Sequence, residues 1–221
     1  MIIAIDGPAG SGKSTVAKMI AADLGFTFMN TGSFYRAMAL AVLRSLGGDE
    51  SGAGAEKPDL ENEAKWINFA ETVPLEYKRD GMYLNGACVE PYLRSDAVES
   101  IVAALSAIVP IRHLINKKIR AAAAQLNIVC EGRDMTTVVF PSADYKFYLD
   151  ASIDAQAERR FKQGVSNLSL EQIKETIIRR DAIDKAKAEG ALKIASDAHY
   201  IDTTHLTIEQ VCEIIISKIN V

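Results

Sequence analysis

The stretch Met1–Thr15, MIIAIDGPAGSGKST, decides the fold of this chain. Its residues Ile2–Ile5 form a short apolar run rich in β-branched side chains, which predicts a buried strand. Residues Gly7–Ser14 then match the pattern G-x-x-x-x-G-K-[ST] without a gap, and the apolar residues after Ser14 recur at helical spacing. A strand, a glycine-rich loop and a helix in this order predict a loop that binds the phosphates of a nucleoside triphosphate.

The chemistry of this loop follows from its residue types. Glycines let the backbone turn so that its N–H groups face inward, and the N-terminus of the next helix adds partial positive charge there. We expect Lys13 to contact the outer phosphates and the Ser14 hydroxyl to bind Mg²⁺. The expected triphosphate-binding residues are Gly7, Pro8, Ala9, Gly10, Ser11, Gly12, Lys13, Ser14 and Thr15. The alternative is a glycine-rich turn with a surface lysine, and the motif does not identify the phosphoryl acceptor.

Length and composition predict a globular protein with one large domain, or with one core that carries insertions. The chain has 221 residues, of which 48% are hydrophobic, and a formal net charge of −4. That charge gives no reason to expect binding to nucleic acid or to an anionic membrane. The odd number and wide spacing of Cys88, Cys130 and Cys212 predict reduced thiols and no metal site. No signal-peptide pattern follows Met1, so we expect a cytoplasmic protein.

Predicted strands and helices alternate along most of the chain, which predicts an α/β fold. After the first strand, further strands are expected at 26–29, 127–130, 145–149 and 200–201. The turn signal Asp80-Gly81 lies between two short runs and predicts a β-hairpin instead. We therefore interpret about residues 37–110 as an insertion with its own antiparallel piece.

A helical hairpin at about residues 157–194 has the composition expected of a lid that closes over phosphates. Its two helices carry Arg159, Arg160, Arg179 and Arg180. Residues 163–168 between the helices predict a flexible turn. The alternative is an ordinary charged surface hairpin.

Charged residues also follow two predicted strands, at the edge where a parallel α/β sheet binds ligands. Thr31, Tyr35 and Arg36 lie at the start of the helix after the second strand. Glu131-Gly132-Arg133-Asp134 directly follows the strand at 127–130. We therefore expect Arg36 to contact an anion and the charged residues at 131–134 to line the ligand-binding edge of the sheet. The alternatives are an exposed helix arginine at position 36 and an ion-paired turn at 131–134.

The number of arginines indicates a second phosphorylated ligand. Four separate segments supply Arg36, Arg112, Arg133 and Arg180. The guanidinium fork matches phosphate geometry, and one nucleotide does not need so many of them. We therefore predict phosphoryl transfer from a triphosphate to an acceptor that is itself a phosphate. Such an acceptor is already largely anionic at neutral pH, so no general base is required.

Several pieces of the sequence together resemble the bacterial cytidylate kinases, which are nucleoside monophosphate kinases. They are IDGPAGSGKST at 5–15, NTGSFYRA at 30–37, EGRDMTTVVFP at 131–141, KFYLDAS at 146–152, RRDAIDKAK at 179–187 and DAHYIDTTHLTIEQV at 197–211. The resemblance implies a three-layer P-loop kinase fold with a five-stranded parallel sheet, an inserted monophosphate-binding region and a small lid. The single domain would then divide into a core (1–36, 111–156 and 195–221), the insertion 37–110 and the lid 157–194.

The resemblance also implies an activity and the residues that perform it. The activity is ATP-dependent phosphorylation of CMP and dCMP to CDP and dCDP, with Mg²⁺ as cofactor and small-molecule nucleotides as partners of a monomer. The catalytic residues would be Lys13, Arg133 and Arg180, and Arg160 would join the ATP site. The acceptor site would comprise Thr31, Tyr35, Arg36, Arg112, Arg133, Asp134, Arg180, Asp184 and Lys187.

Within that acceptor site the resemblance implies separate roles. The acceptor phosphate would be held by Arg36, Arg133 and Arg180, and the sugar by Asp184. Asp134 and Arg112 would contact the base, because the N4 amino group of cytosine donates to a carboxylate while its O2 and N3 accept from an arginine. The sequence departs from the family at Lys187, where an arginine is usual, and at Ala103, near a base-contacting serine.

Two other functions remain open on the sequence alone. One is another P-loop kinase with a small acceptor such as UMP, AMP or shikimate. The other is a nucleotide-dependent switch that hydrolyses slowly, although the chain has no N-K-x-D guanine-binding motif. The acceptor that makes ADP appear in the presence of ATP and Mg²⁺ would separate them.

Overall fold

A computed structural model describes residues 1–78, 81–162 and 168–219. The strands are β1 (Ile2–Asp6), β2 (Thr27–Asn30), β3 (Leu75–Lys78), β4 (Gly81–Leu84), β5 (Ala87–Cys88), β6 (Ile128–Gly132), β7 (Tyr145–Asp150) and β8 (His199–Asp202). The helices are α1 (Lys13–Leu24), α2 (Gly32–Ser45), α3 (Glu63–Thr72), α4 (Asp96–Ala107), α5 (Val109–Ala123), α6 (Ile153–Lys162), α7 (Leu170–Ala186) and α8 (Ile208–Ile216). A 3₁₀ turn at Glu90–Tyr92 and a π-helical segment at Met135–Val139 complete the regular structure.

The chain divides into two compact units, of which one comprises residues 1–29 and 126–221. This unit carries the five-stranded sheet, in the order β2-β6-β1-β7-β8, with parallel pairing of β1 to β6, β1 to β7 and β7 to β8. The apolar run of β1 is completely buried at Ile3, Ala4 and Ile5, as expected for a central parallel strand. Helices α1 and α8 pack their apolar faces against the sheet. The predicted α/β class and five-stranded parallel sheet are confirmed.

The strand order determines where this unit can bind a ligand. From β1 the chain first forms β2 at one edge of the sheet. The next strand of this sheet, β6, then fills the position between β2 and β1, and β7 lies on the other side of β1. Ligands of open α/β sheets bind beyond the carboxyl ends of strands where the order changes direction. In this sheet Asp6 pairs with Gly132, so the glycine-rich loop and the 131–134 segment begin at the same level.

The second unit, residues 30–125, contains α2 to α5 and the three-stranded sheet β3-β4-β5. The predicted hairpin is present as the antiparallel pair β3–β4, with Leu75 opposite Leu84. Its turn residue Asp80 lies outside the described residues, and so do residues 163–167 of the turn predicted at 163–168. Asn85 and Gly86 have positive φ values of 51° and 79°, which form the tight Asn-Gly turn into β5. The boundaries given above for core, insertion and lid remain predictions.

The helix caps predicted from the sequence are present, whereas one segment has a backbone conformation that the sequence did not predict. Capping boxes begin α7 and α8. The hydroxyls of Ser169 and Thr207 each accept from the backbone amide of the glutamine three residues later, and the side chain of that glutamine accepts from the amide of the Ser or Thr. The segment that the sequence did not predict is Met135–Val139, which is π-helical. The thiols of all three cysteines are free, as predicted.

A membrane span is not supplied by any single helix of the described ranges. Only α4 and α5 counted together, across a bend of 103°, reach the necessary length and apolar character.

Candidate active site

The glycine-rich loop links β1 to α1 and depends on glycine at two positions. Gly7 has a φ of 148°, and a Cβ atom there would lie 1.9 Å from the backbone oxygen of Leu149. Gly12 precedes α1 with a φ of 92°, a conformation that side chains rarely adopt. The loop therefore keeps its backbone amides at the N-terminus of α1, where an anion is favoured. Ser14 and Thr15 lie on the exposed side of the first turn.

Lys13 is held inside this loop. Its side chain is 5% exposed, and Nζ donates to the Pro8 carbonyl oxygen at 2.6 Å and to Ser11 Oγ at 3.4 Å. Burial lowers the pKa of Lys13 to about 7, and the positive charge of Arg133 contributes in the same direction. Negative charge from triphosphate oxygens would favour the protonated form of Lys13 and raise its pKa again.

Ser14 contacts a carboxylate from the neighbouring strand. Its hydroxyl donates to Glu131 Oε1 at 2.9 Å, and Glu131 lies near the end of β6. A hydroxyl and a carboxylate are hard oxygen ligands, which suit Mg²⁺ when phosphates and water complete the shell. Within the described residues, no three His, Cys, Asp or Glu side chains converge on one point.

Besides Glu131, the strand ends of this sheet carry the acidic residue Asp6, which is the last residue of β1 and is completely buried. Its carboxylate accepts from the Met135 amide at 2.9 Å, the Thr136 amide at 2.7 Å and the Thr136 hydroxyl at 2.6 Å. Burial raises the pKa of Asp6, although these hydrogen bonds oppose the rise. Because its oxygens already bind these donors, we do not count Asp6 among the metal-binding groups.

Arg133, Asp184 and Lys187 come together in the first unit. Arg133 Nε lies 3.0 Å from Asp184 Oδ2, and Lys187 Nζ lies 2.7 Å from Asp184 Oδ1. Burial alone would raise the pKa of Asp184, but the Lys187 hydrogen bond and the Arg133 charge hold it below its ordinary value. The predicted turn at 131–134 is thus ion-paired to α7, and Asp134 beside Arg133 is 4% exposed.

The helices α6 and α7 form the remaining part of this unit's candidate site. Ala157, Ile173 and Ile177 pack between the two helices. Two predicted site residues, Arg160 on α6 and Arg180 on α7, lie on exposed faces.

Another acidic side chain of α7 reaches the loop itself. Asp181 is 6% exposed, and its carboxylate accepts from the Ala9 amide at 3.3 Å. A carboxylate thus contacts the loop amides where the sequence predicts phosphate.

The unit 30–125 holds the other predicted acceptor-site residues. Arg112 is 7% exposed, and its guanidinium carbon lies 5.5 Å from the centre of the Tyr35 ring. The Tyr35 hydroxyl donates to Asn116 Oδ1 at 3.1 Å, and Thr31 is buried at the start of α2. These contacts fix a planar cation against an aromatic face.

Arg36 is paired within its own unit. Its guanidinium forms an ion pair with Glu99 and also donates to the Leu93 carbonyl oxygen at 3.4 Å. The side chain of Arg36 is 20% exposed. Arg36 is thus a partly exposed, ion-paired residue of α2, and its contact with an anion remains a prediction.

Sequence reasoning gave no role to three acidic residues of these sites, and it did not predict the contact of Glu131 with Ser14. The three are Asp6, Glu99 and Asp181. Asp6 directly precedes the glycine loop, and Asp181 follows Arg180. A carboxylate next to a predicted phosphate or arginine site is the only signal that could have identified them.

The family model and two curated relatives that match this chain all name the same family. The family model described as Cytidylate kinase matches residues 3–221. The cytidylate kinase of Borreliella burgdorferi (strain ZS7) is 38% identical over 222 aligned positions, which cover 100% of this chain and 97% of that protein. The cytidylate kinase of Borrelia hermsii (strain HS1 / DAH) is 36% identical, with 100% and 98% covered.

Among the solved structures that resemble the fold is an uncharacterized protein from Eubacterium ventriosum ATCC 27560, with a TM-score of 0.50 at 12% sequence identity. The match covers 99% of this chain and 97% of that one, and at this identity it supports the fold alone.

Proposed function

The chain belongs to the cytidylate kinase family, and on that premise we propose that it transfers the γ-phosphoryl group of ATP to CMP or dCMP with the side chains described above. The enzyme is a phosphotransferase whose acceptor is a phosphate group. One observation carries the assignment of its residues: the loop with Lys13 and the Arg133–Asp134 pair follow adjacent parallel strands that end in register, Asp6 opposite Gly132. Donor and acceptor groups thus follow neighbouring strand ends, as phosphoryl transfer between two nucleotides requires.

The loop residues and Lys13 bind the donor phosphates. Backbone amides at the N-terminus of α1 and the Lys13 ammonium neutralise charge on the transferring group. Ser14 and Glu131 would hold Mg²⁺, which would supply positive charge to neutralise the donor phosphates. The Asp181 carboxylate leaves the Ala9 amide when phosphate binds, since both compete for the same donor. Arg160 would add positive charge beside the donor.

Arg133 binds the acceptor phosphate, aided by Arg36 and Arg180. Asp184 accepts from Nε of Arg133, and Nη1 donates to the Gly132 carbonyl oxygen at 3.5 Å, so Nη2 is the terminal group that would face a phosphate. The acceptor oxygen is already anionic at neutral pH, so positioning and charge neutralisation carry the reaction. Asp184 would also contact the sugar, and Lys187 would add positive charge to the acceptor site.

Asp134 and Arg112 select the base. A buried carboxylate at Asp134 accepts from the N4 amino group of cytosine, whereas uracil would turn a carbonyl oxygen toward it. Arg112, stacked on Tyr35, donates to the cytosine acceptors O2 and N3. Thr31 lies one turn before Tyr35 and adds a hydroxyl to the acceptor contacts. The alternative acceptors UMP, AMP and shikimate are not favoured by the family match.

A product assay tests this function. The protein is incubated with ATP and Mg²⁺ and, separately, with CMP, dCMP, UMP, AMP or shikimate, and nucleotides are separated by ion-exchange chromatography. We expect ADP to form together with equal amounts of CDP or dCDP. Formation of ADP without any acceptor product, or preference for shikimate or AMP, would overturn the assignment.

A further inference from the structure

Asp6 is a buried charge whose hydrogen bonds cross a long stretch of sequence. It lies at the end of β1 with 0% exposure, and its three donors come from residues 129 and 130 positions later. An ionised carboxylate in such a place is costly unless its oxygens are hydrogen-bonded. Two backbone amides and one hydroxyl at 2.6–2.9 Å meet that requirement.

The donors to Asp6 belong to the segment that immediately follows Asp134. The backbone carbonyl of Asp134 accepts from the amides of Val138 and Val139 at 2.9 and 3.0 Å. The amide on the other side of that peptide, at Met135, donates to Asp6. The peptide group after Asp134 is thus fixed by its carbonyl and by its N–H group.

The same residue also directly precedes the donor loop, because Gly7 is its neighbour in sequence. One carboxylate therefore joins the start of the loop that binds ATP to the segment that carries Arg133 and Asp134. An apolar residue would fill the space in β1 equally well, but it would leave the amides of Met135 and Thr136 without their acceptor.

We propose that Asp6 is a positioning residue for base selection: through the amides of Met135 and Thr136 it holds the Asp134 carboxylate where the N4 amino group of cytosine binds. This inference rests on the proposed function, since it concerns how the acceptor base is distinguished. Asp6 itself contacts neither nucleotide. Its effect is on the ratio of kcat/KM for CMP to that for UMP.

The test is Asp6→Asn, which keeps the size of the side chain and removes its charge. The side-chain NH₂ group of the asparagine would face one of the two backbone N–H groups, and two donors cannot pair. The Met135–Thr136 backbone must therefore shift. We expect the CMP-to-UMP ratio of kcat/KM to fall about tenfold, the effect of one lost charge-assisted hydrogen bond. The dissociation constant of ADP, measured by calorimetry, should change less than about threefold, since the loop keeps its own amides and Lys13.

Two further variants keep the test decisive. Thr136→Val removes only the hydroxyl bond and should lower the ratio by about threefold, which is typical of one neutral hydrogen bond. If Asp6→Asn does not fold, the ratio of Thr136→Val tests the proposal in its place. The matched control is Ile215→Val on α8, which removes one buried methylene group from the core of the same unit, away from the 131–141 segment. That variant should lower the melting temperature while leaving the base ratio unchanged.

The outcomes separate this inference from the proposed function. If the wild-type protein does not prefer CMP, the proposed function fails whatever the variants do. If the wild type prefers CMP, while folded Asp6→Asn, or Thr136→Val in its place, keeps the wild-type ratio, the inference on Asp6 is wrong and the proposed function stands. Equal losses of ADP and CMP affinity in Asp6→Asn would also contradict it, because Asp6 would then act on the donor loop.

Discussion

The Ser14 hydroxyl donates a 2.9 Å hydrogen bond to the Glu131 carboxylate. Ser14 belongs to the first turn of α1, and Glu131 to the end of β6, so two adjacent strands of the sheet bring them together. The pair offers two hard oxygen groups directly beside the donor loop. Hard oxygen groups of this kind would hold Mg²⁺, which would supply positive charge to the donor phosphates.

We predict that Glu131→Gln raises the Mg²⁺ requirement of the reaction. The substitution keeps a hydrogen-bond acceptor for Ser14 but removes the charge, so the Mg²⁺ concentration for half-maximal rate should rise about tenfold. Initial rates measured against free Mg²⁺ at a fixed ATP concentration give this value. The control is Glu209→Gln on α8, an exposed residue outside the site. An unchanged Mg²⁺ requirement in the Glu131 variant would rule out a role for this carboxylate.

The lowered pKa of Lys13 predicts a pH-dependent stability of the protein without nucleotide. Between about pH 7 and its ordinary value of 10.5, this lysine binds a proton in the unfolded chain but not in the folded one. The free energy of unfolding must therefore rise with pH across that window. Urea unfolding at several pH values should show a steeper rise in the wild type than in Lys13→Met.

The comparison of these two proteins isolates Lys13 from the other titrating groups. If both show the same slope above pH 7, the pKa of Lys13 is not lowered. The same variant should turn over at least about a hundredfold more slowly, because it lacks a charge on the transferring group.

Asp184→Asn should weaken binding of CMP. The variant loses the charge that orients Arg133 and Lys187, so we expect KM for CMP to rise about tenfold while KM for ATP stays nearly constant. Since the pKa of Asp184 is held below 3.8, the group is ionised throughout the assay range. The effect should accordingly be the same at about pH 6 and about pH 8.

A control for this prediction is Asp154→Asn on α6, which removes an exposed partner of Lys174. Exposed pairs contribute little, so its kinetic constants should match those of the wild type. Equal increases in the KM values for CMP and ATP in Asp184→Asn would contradict a specific role at the acceptor.

The sequence predicted the donor half of the site because its pattern is local. Strand, loop and helix lie within 24 residues, and the glycine spacing itself specifies the backbone conformation. The hairpin at 75–84 was predicted for the same reason, from one turn signal between two short strands.

The remaining contacts could not be predicted because they join distant segments. Asp6 meets Thr136, Ser14 meets Glu131, and the pairing depends on which strands become neighbours in the sheet. Strand order is a property of the whole fold, and no spacing within one segment encodes it. The π-helical segment at 135–139 likewise depends on Asp6, which supplies acceptors for its first amides.

The CMP-to-UMP ratio of kcat/KM in the wild type and in Asp134→Ala tests the central claim, that the Asp134 carboxylate selects cytosine. The wild type should prefer CMP by several hundredfold, since uracil leaves a buried carboxylate facing a carbonyl oxygen. Asp134→Ala should lose most of its activity on CMP and show a ratio at least about tenfold smaller, because attraction to cytosine and repulsion of uracil disappear together. A folded variant with the wild-type ratio would contradict the account and would indicate that Asp134 instead orients Arg133 toward the acceptor phosphate.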